Sequence, residues 1–402
     1  MDAKKGEAII MRPERSFHYL VLSISAVFLF VLASFSAASA ATVTVQSIGD
    51  GSAQPANCPG ASCRLRDAII AANPGDTIDF SVTGTITLTS DVLNLSRNLT
   101  IKGPGATNLT VSGNNVYEVF YVGGVTVNIS GITISDGYYS DGSGIRNNGT
   151  LTLTNVTLSG NSADNYGGGI RNYGNGTLTL TNVTLSGNSA SSGGGIRNDG
   201  TLTLTNVTLS GNSAEVGGGI ANNGTSTLTN VTLSGNSAEV GGGIWEGYGT
   251  GISASLRNTI VASNTGGNCG GPGTITSLGH NLESGTDCGF TQTGDQQSAD
   301  PELGPLALNA PGTTETFALE SGSPAIDAGD NADLPPTDQR GAVRIWDGDG
   351  NGTAIVDIGA YEYGAPLYVP PKVPAMNEWG MIIFVLLAGL GSVYYLRRRA
   401  ES

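Results

Sequence analysis

Between Gly142 and Gly249 apolar and hydroxylated residues alternate in one order that is repeated about four times. Each copy opens on a Gly-rich run ending in isoleucine, continues as a Leu/Thr alternation and closes on Asn-Val-Thr-Leu-Ser-Gly-Asn. The opening isoleucines are Ile145, Ile170, Ile196, Ile220 and Ile244, at steps of 25, 26, 24 and 24 residues. A period near two dozen residues is that of a solenoid. Leucines at 202 and 204 separate threonines at 201, 203 and 205, and Val207-Thr208-Leu209 resumes the alternation after Asn206. Such alternation marks strands with one face in water. Gly-Gly-Gly-Ile supplies a third short strand, while Ser-Gly-Asn-Ser and Asn-Asp-Gly turn without a helix because they tolerate positive φ.

Three strands and three turns per unit predict one triangular rung of a parallel β-helix, right-handed by the crossover rule. The expected fold class is all-β: a right-handed parallel β-helix of about 24 residues per rung, with an N-terminal capping helix and a C-terminal transmembrane helix. Stacking predicts inward columns of the isoleucines, Leu153/Leu180/Leu204/Leu228, Val156/Val183/Val207/Val231 and Leu158/Leu185/Leu209/Leu233. No rung buries a core alone, so stability is shared between neighbours. Asn155, Asn182, Asn206 and Asn230 fall on one corner, where stacked amides are expected to bond each other up the axis.

Composition agrees with tight turns around an aliphatic core: Gly is 61 of 402 residues, charged residues are 13% and aromatics 6%. The in-register apolar positions exclude disorder. A net charge of −15 excludes nucleic acid as a natural partner.

Residues 1–40 read as a signal peptide: Arg12 and Arg15 give a basic start, Tyr19 to Phe35 an apolar stretch, and Ala38-Ser39-Ala40 a cleavage site. The alternative is a retained membrane anchor, and translation starts at Met1 or Met11. Export places Cys58, Cys63, Cys269 and Cys288 in an oxidising compartment, where two local bridges are the natural pairing of the three. From Cys63 to Asn73 one helical patch shows Leu65, Ala68, Ile69 and Ala72 on a shared face, which suits a cap over an open solenoid end. Cys63-Arg64-Leu65-Arg66-Asp67-Ala68 resembles the Cys-Ser-Leu-Arg-Glu-Ala motif that opens many exported bacterial β-helix proteins, with Arg64 for Ser and Asp67 for Glu.

Residues 41–124 are thus expected to hold the N-terminal cap and first irregular rungs, 125–265 the regular repeats, 266–365 the C-terminal rungs and a closing cap, and 366–402 a linker and tail. Asp300-Pro301-Glu302-Leu303-Gly304, Gly322-Ser323-Pro324-Ala325-Ile326-Asp327 and Asp357-Ile358-Gly359-Ala360-Tyr361-Glu362 resemble, in that order, the choice-of-anchor region of surface β-helix proteins. The tail combines Pro374, Glu378, Trp379 and Gly380, an apolar stretch from Met381 to Leu396, and Arg397-Arg398-Arg399. It resembles exosortase-type sorting signals of Gram-negative bacteria, of the Pro-Thr-Leu and Pro-Glu-Pro classes. That resemblance implies passage through export machinery, a processing enzyme of the exosortase kind, and location at the cell surface, in the outer membrane or outside the cell. The alternative is a permanent tail anchor.

Two sites carry candidate chemistry. Asp347, Asp349 and Asn351 stand at positions 1, 3 and 5 of a calcium-type loop, with Asp357 one short of the position where a bidentate Glu is expected. The competing reading is a polar Gly-rich turn. Arg146, Arg171 and Arg197 occupy one rung position and would line a groove for an acidic polysaccharide, or form a solvated face relieved by Asp164, Asp199 and Glu215. Nearby tyrosines would stack on sugars or pack in turns. No catalytic residue is assigned, because no rung from 142 to 250 clusters the carboxylates that a polysaccharide lyase or glycosidase needs. The sequence therefore favours a non-enzymatic exported β-helix protein for adhesion, display or polysaccharide contact. A carbohydrate-active enzyme on the same scaffold is the alternative.

Overall fold

The computed structural model describes residues 40–370. They form an all-β, right-handed parallel solenoid of about nine turns with close to 24 residues per turn. The signal segment, the sorting motif at Pro374, Glu378, Trp379, Gly380 and Arg397–Arg399, and the transmembrane stretch lie outside the described residues. Within them no helix is long and apolar enough to cross a membrane.

Parallel pairing starts earlier than the periodicity announces, between Thr42–Val45 and Thr77–Phe80. Each regular turn contributes to three faces. The first joins Thr126–Ser130, Thr150–Thr154, the leading halves of Thr177–Ser186, Thr201–Ser210 and Thr225–Ser234, and then Ser253–Arg257. The second joins Thr133–Ser135, Thr157–Ser159, the trailing halves of the same long strands, Ile260–Ala262 and Leu282–Glu283. The third joins Phe120–Val122, Ile145–Asn147, Ile170–Asn172, Ile196–Asn198, Ile220–Asn222 and Ile244–Glu246.

All the expected inward columns are buried in one continuous core. Each such aliphatic side chain contributes about 1.5–3 kcal/mol by leaving water. The Gly-Gly-Gly run is required by close stacking: a Cβ on Gly195 would stand 2.6 Å from the carbonyl oxygen of Gly219 in the next rung.

The asparagine columns differ from expectation. Asn155, Asn182, Asn206 and Asn230 have φ of 53° to 55° and turn the chain between the first two faces, a left-handed conformation that asparagine tolerates. Among the four, only Asn206 bonds its neighbour, from Nδ2 to Asn182 Oδ1 at 3.2 Å. The ladders stand at the other two corners. Asn147, Asn172 and Asn198 each donate Nδ2 to the Oδ1 one rung on, at 2.7–2.8 Å, and Asn222 ends the row on the Glu246 carboxyl. Asn161, Asn188, Asn212 and Asn236 do the same as far as Asn264, at 2.8–3.0 Å, and each Nδ2 also donates to a core carbonyl. These buried amides are satisfied by their copies above and below together with backbone groups beside them, so they fix register as well as stability.

Both ends are closed. The helix Leu65–Ala71 lays Leu65, Ala68 and Ile69 on the first core layer. Buried Asp67 accepts from Gln54 N at 2.6 Å and Arg64 Nε at 2.8 Å, beside the Cys58–Cys63 bridge. At the far end Glu283 takes the inward place held by Val261 one rung earlier and accepts from Cys288 N at 2.9 Å. Phe290 and the Cys269–Cys288 bridge complete that lid.

The end is therefore closed by a local loop inside 266–365, the range expected to hold the C-terminal rungs and a closing cap, while the segment after Pro301 runs back along the side of the column. It lies on the second face. Thr184 Oγ1 donates to Glu315 O at 2.6 Å, Thr208 Oγ1 to Gln339 Oε1 at 2.7 Å, and Ala360 N to Thr232 Oγ1 at 3.1 Å. Outward Ile260, Ala262 and Leu282 join Leu319, Ala325 and Ile358 in a second small core. Arg344 reaches Asn206 Oδ1 at 2.9 Å and Glu362 at 3.3 Å.

Candidate functional site

In each Ile-X-Asn strand of the third face the flanking isoleucine and asparagine point inward, so the middle residue points out. One outward column results: Tyr121, Arg146, Arg171, Arg197, Ala221 and Trp245, paired in register. The three arginines stand about 4.8 Å apart per rung, where bare guanidinium groups would repel.

The structure answers that repulsion with two carboxylates and a set of rings. Glu118 holds Arg146 through both oxygens, at 3.0 Å to Nε and 2.9 Å to Nη2. Asp199 pairs with both Arg171 and Arg197. Arg146 lies over Tyr121 and Tyr139, at 4.5 and 5.1 Å from their centroids. Arg171 lies between Tyr166 and Tyr173, each at 4.8 Å, a cation–π arrangement. Arg171 Nε and Nη1 have no partner among the described residues. Burial pushes the Glu118 carboxyl up to about 7, against the opposing pull of Arg146.

Of the carboxylates expected to relieve the row, Asp199 does so, whereas Asp164 accepts from Tyr138 Oη at 2.9 Å. Glu118 was not anticipated; its lone place before Phe120, outside the regular repeat, gave no signal. Tyr138, Tyr139 and Tyr166 are 43%, 43% and 42% exposed along the edge. The result is a strip of rigid rings with guanidinium donors set between them. Its chemistry is that of binding: the exposed rings can pack against the C–H faces of sugars, while the Arg171 nitrogens without a partner are buried beneath them.

The expected calcium ligands separate. Asp347 and Asp349 stay together and are joined by Asp327, their carboxylate oxygens lying within 4.8 Å of one another. Asn351 turns its Nδ2 onto Asp349 Oδ2 at 2.8 Å. Asp357 is buried elsewhere, accepting from Asp327 N at 2.8 Å and facing Glu362. The residues that would hold a hard cation are thus Asp327, Asp347 and Asp349, a set of oxygen donors suited to calcium. Sequence spacing alone missed Asp327, which arrives from a separate turn. Both expected disulfides are formed.

No family model matches the sequence, and no curated protein matches it. Among solved structures, the crystal structure of pectate lyase Pel9A is similar, with a TM-score of 0.50 at 13% identity over 82% of this chain and 98% of that one. Likeness at that identity shows the parallel β-helix and leaves activity to be argued from the site.

Proposed function

We propose that this is an exported, non-enzymatic β-helix protein of the cell surface or extracellular matrix, whose tyrosine–arginine strip contacts polysaccharide. The observation that carries the reading is the run of half-exposed rings beside in-register arginines on a rigid face. The two disulfides accord with export, and the tail expected to be read by an exosortase-type enzyme would place the body outside the cytoplasmic membrane. Weak contacts repeated along one rod add by multivalency. Calcium at Asp327, Asp347 and Asp349 would clamp the C-terminal segment, on a different face from the strip.

One observation favours an enzyme: burial, aided by Asp91 and Asp141, brings the Glu118 pKa to about 7, in the range of a general acid. Against it, both Glu118 oxygens are held by Arg146. The test is to measure binding and turnover of acidic and neutral polysaccharides, with and without calcium. Binding that weakens at least about tenfold in Tyr166→Ala/Arg171→Gln, roughly 1.4 kcal/mol, with no turnover, supports display. Turnover abolished by Glu118→Gln would establish the enzyme instead.

A further inference from the structure

The first face carries a second surface, unrelated to the strip. Thr150, Thr152 and Thr154 pair in register with Thr177, Thr179 and Thr181, these with Thr201, Thr203 and Thr205, and these with Thr225, Thr227 and Thr229. The rung before adds Thr126, Asn128 and Ser130. All the threonines are exposed or half-exposed, while the leucines between them, such as Leu202 and Leu204, are buried. Among the described residues no segment buries them, and only Thr225 donates its hydroxyl to a protein group, Gly251 O at 3.1 Å. On this face no charged residue stands at an outward position from Thr126 to Thr229, in a chain of net charge −15; Lys102 and Arg257 stand in the rungs on either side.

We propose that this face is a template for ordered water and that its ligand is ice. Outward residues of a strand repeat every ~6.7 Å and stacked rungs every ~4.8 Å. The rung spacing lies close to the shorter oxygen repeat on the prism face of hexagonal ice, and the strand repeat comes within about a tenth of the longer one. Threonine is β-branched and stiff at χ1, so the hydroxyls of one rank point alike and little ordering is needed when water arrays on them. Each methyl group beside a hydroxyl favours a cage of water over an irregular shell. A charge would orient water radially and break the lattice, which accounts for the exclusion of Lys, Arg, Asp and Glu. A single hydroxyl exchanges liquid water for ice with almost no gain, but an array of them adds its contacts on one rigid body.

Strand propensity by itself favours threonine and disfavours Asp, Glu and Lys at outward positions, but it does not ask for threonine at all three outward places of four successive rungs. The second face, with threonines of its own, is covered by the C-terminal segment; this one is left open to solvent.

The test uses the purified protein in freezing solution and reads three things: inhibition of ice recrystallisation, faceting of growing crystals, and partition into ice. The wild-type protein is expected to show all three. Thr203→Lys, at the centre of the array, is expected to abolish them without lowering the melting temperature. Should that variant fail to fold, Thr179→Ser/Thr203→Ser, which keeps the hydroxyls but removes the methyl groups and frees χ1, is expected to weaken them. Tyr166→Ala/Arg171→Gln should leave ice activity intact while reducing glycan binding, so the two readings fail separately. Wild-type protein without effect on ice, a lysine variant that keeps the effect, or binding to crystalline cellulose in place of ice would each overturn the proposal.

Discussion

Thr203 and Thr208 belong to one strand, Thr201–Ser210, and to one repeated phrase, yet they live in different surroundings. Thr203 faces water on the first face. Thr208 is fully buried and donates to Gln339, 131 residues further along the chain. Both point outward from the core, and both sit where β-propensity would put a threonine. The difference comes from the C-terminal segment, which covers the second face and leaves the first bare. A solenoid sequence thus announces which residues point out, while a distant segment decides which of those meet solvent.

The sharpest way to break the covered face is through its buried charges. Arg344 is fully buried and links Glu362 to Asn206. Arg344→Met leaves that carboxyl and amide without their partner, which is expected to destabilise the segment by about 3–5 kcal/mol. Denaturant unfolding, together with faster proteolysis after Pro301, checks it; an unchanged midpoint would mean that the segment is held by its small apolar core alone. On the bare face no single outward substitution should approach that loss.

A pH series probes the same cover without mutation. Burial, and then the neighbouring Glu362 carboxyl, push Asp357 up to about 8, and burial pushes Glu362 up to about 7 despite Arg344. Both values lie above the ordinary 3.8 and 4.5. Between those limits the folded state holds more protons than the unfolded state, so the stability these groups contribute is full at the acid end and is lost as pH rises through about 7 to 8. Protease resistance of the segment should fall over that window, with Asp357→Asn flattening the response. A profile that rises toward alkaline pH would contradict the burial of this pair.

Much of the column was legible in the sequence. The period set the rungs, the Leu/Thr alternation set which residues face the core, and the one amphipathic helix announced the N-terminal cap. Four things were not legible, each for a physical reason. Asparagine recurs at three corners per rung with equal regularity, and only backbone conformation separates Asn206, spent on positive φ, from Asn188, spent on an amide ladder. Glu283 reads as one more polar residue until it is seen to occupy an inward position at the last rung. Asp327 is remote in sequence from Asp347 and Asp349, so no spacing rule for a continuous loop could recruit it. In the arginine row, repetition displayed Arg146, Arg171 and Arg197, whereas Glu118, the partner of Arg146, came from an irregular stretch that carries no repeat signal.

The smallest expected effects isolate the comparison best, because they change one hydroxyl and little volume. Thr208→Val removes the donor to Gln339 Oε1 and leaves that oxygen buried without its bond, which is expected to cost about 1–3 kcal/mol. The amide nitrogen of Gln339 stays held by Thr184 and Thr314, so Gln339 has no free path to a new partner. Thr203→Val makes the same exchange five residues earlier on the bare face, where water replaces whatever is lost, and should change stability by no more than about 0.5 kcal/mol. Measured side by side in urea, the pair tests the cover directly. Equal midpoints would mean that water reaches Thr208 and that the C-terminal segment does not seal the second face, whereas the expected separation attributes the whole difference to what lies above the strand, since the strand itself is the same.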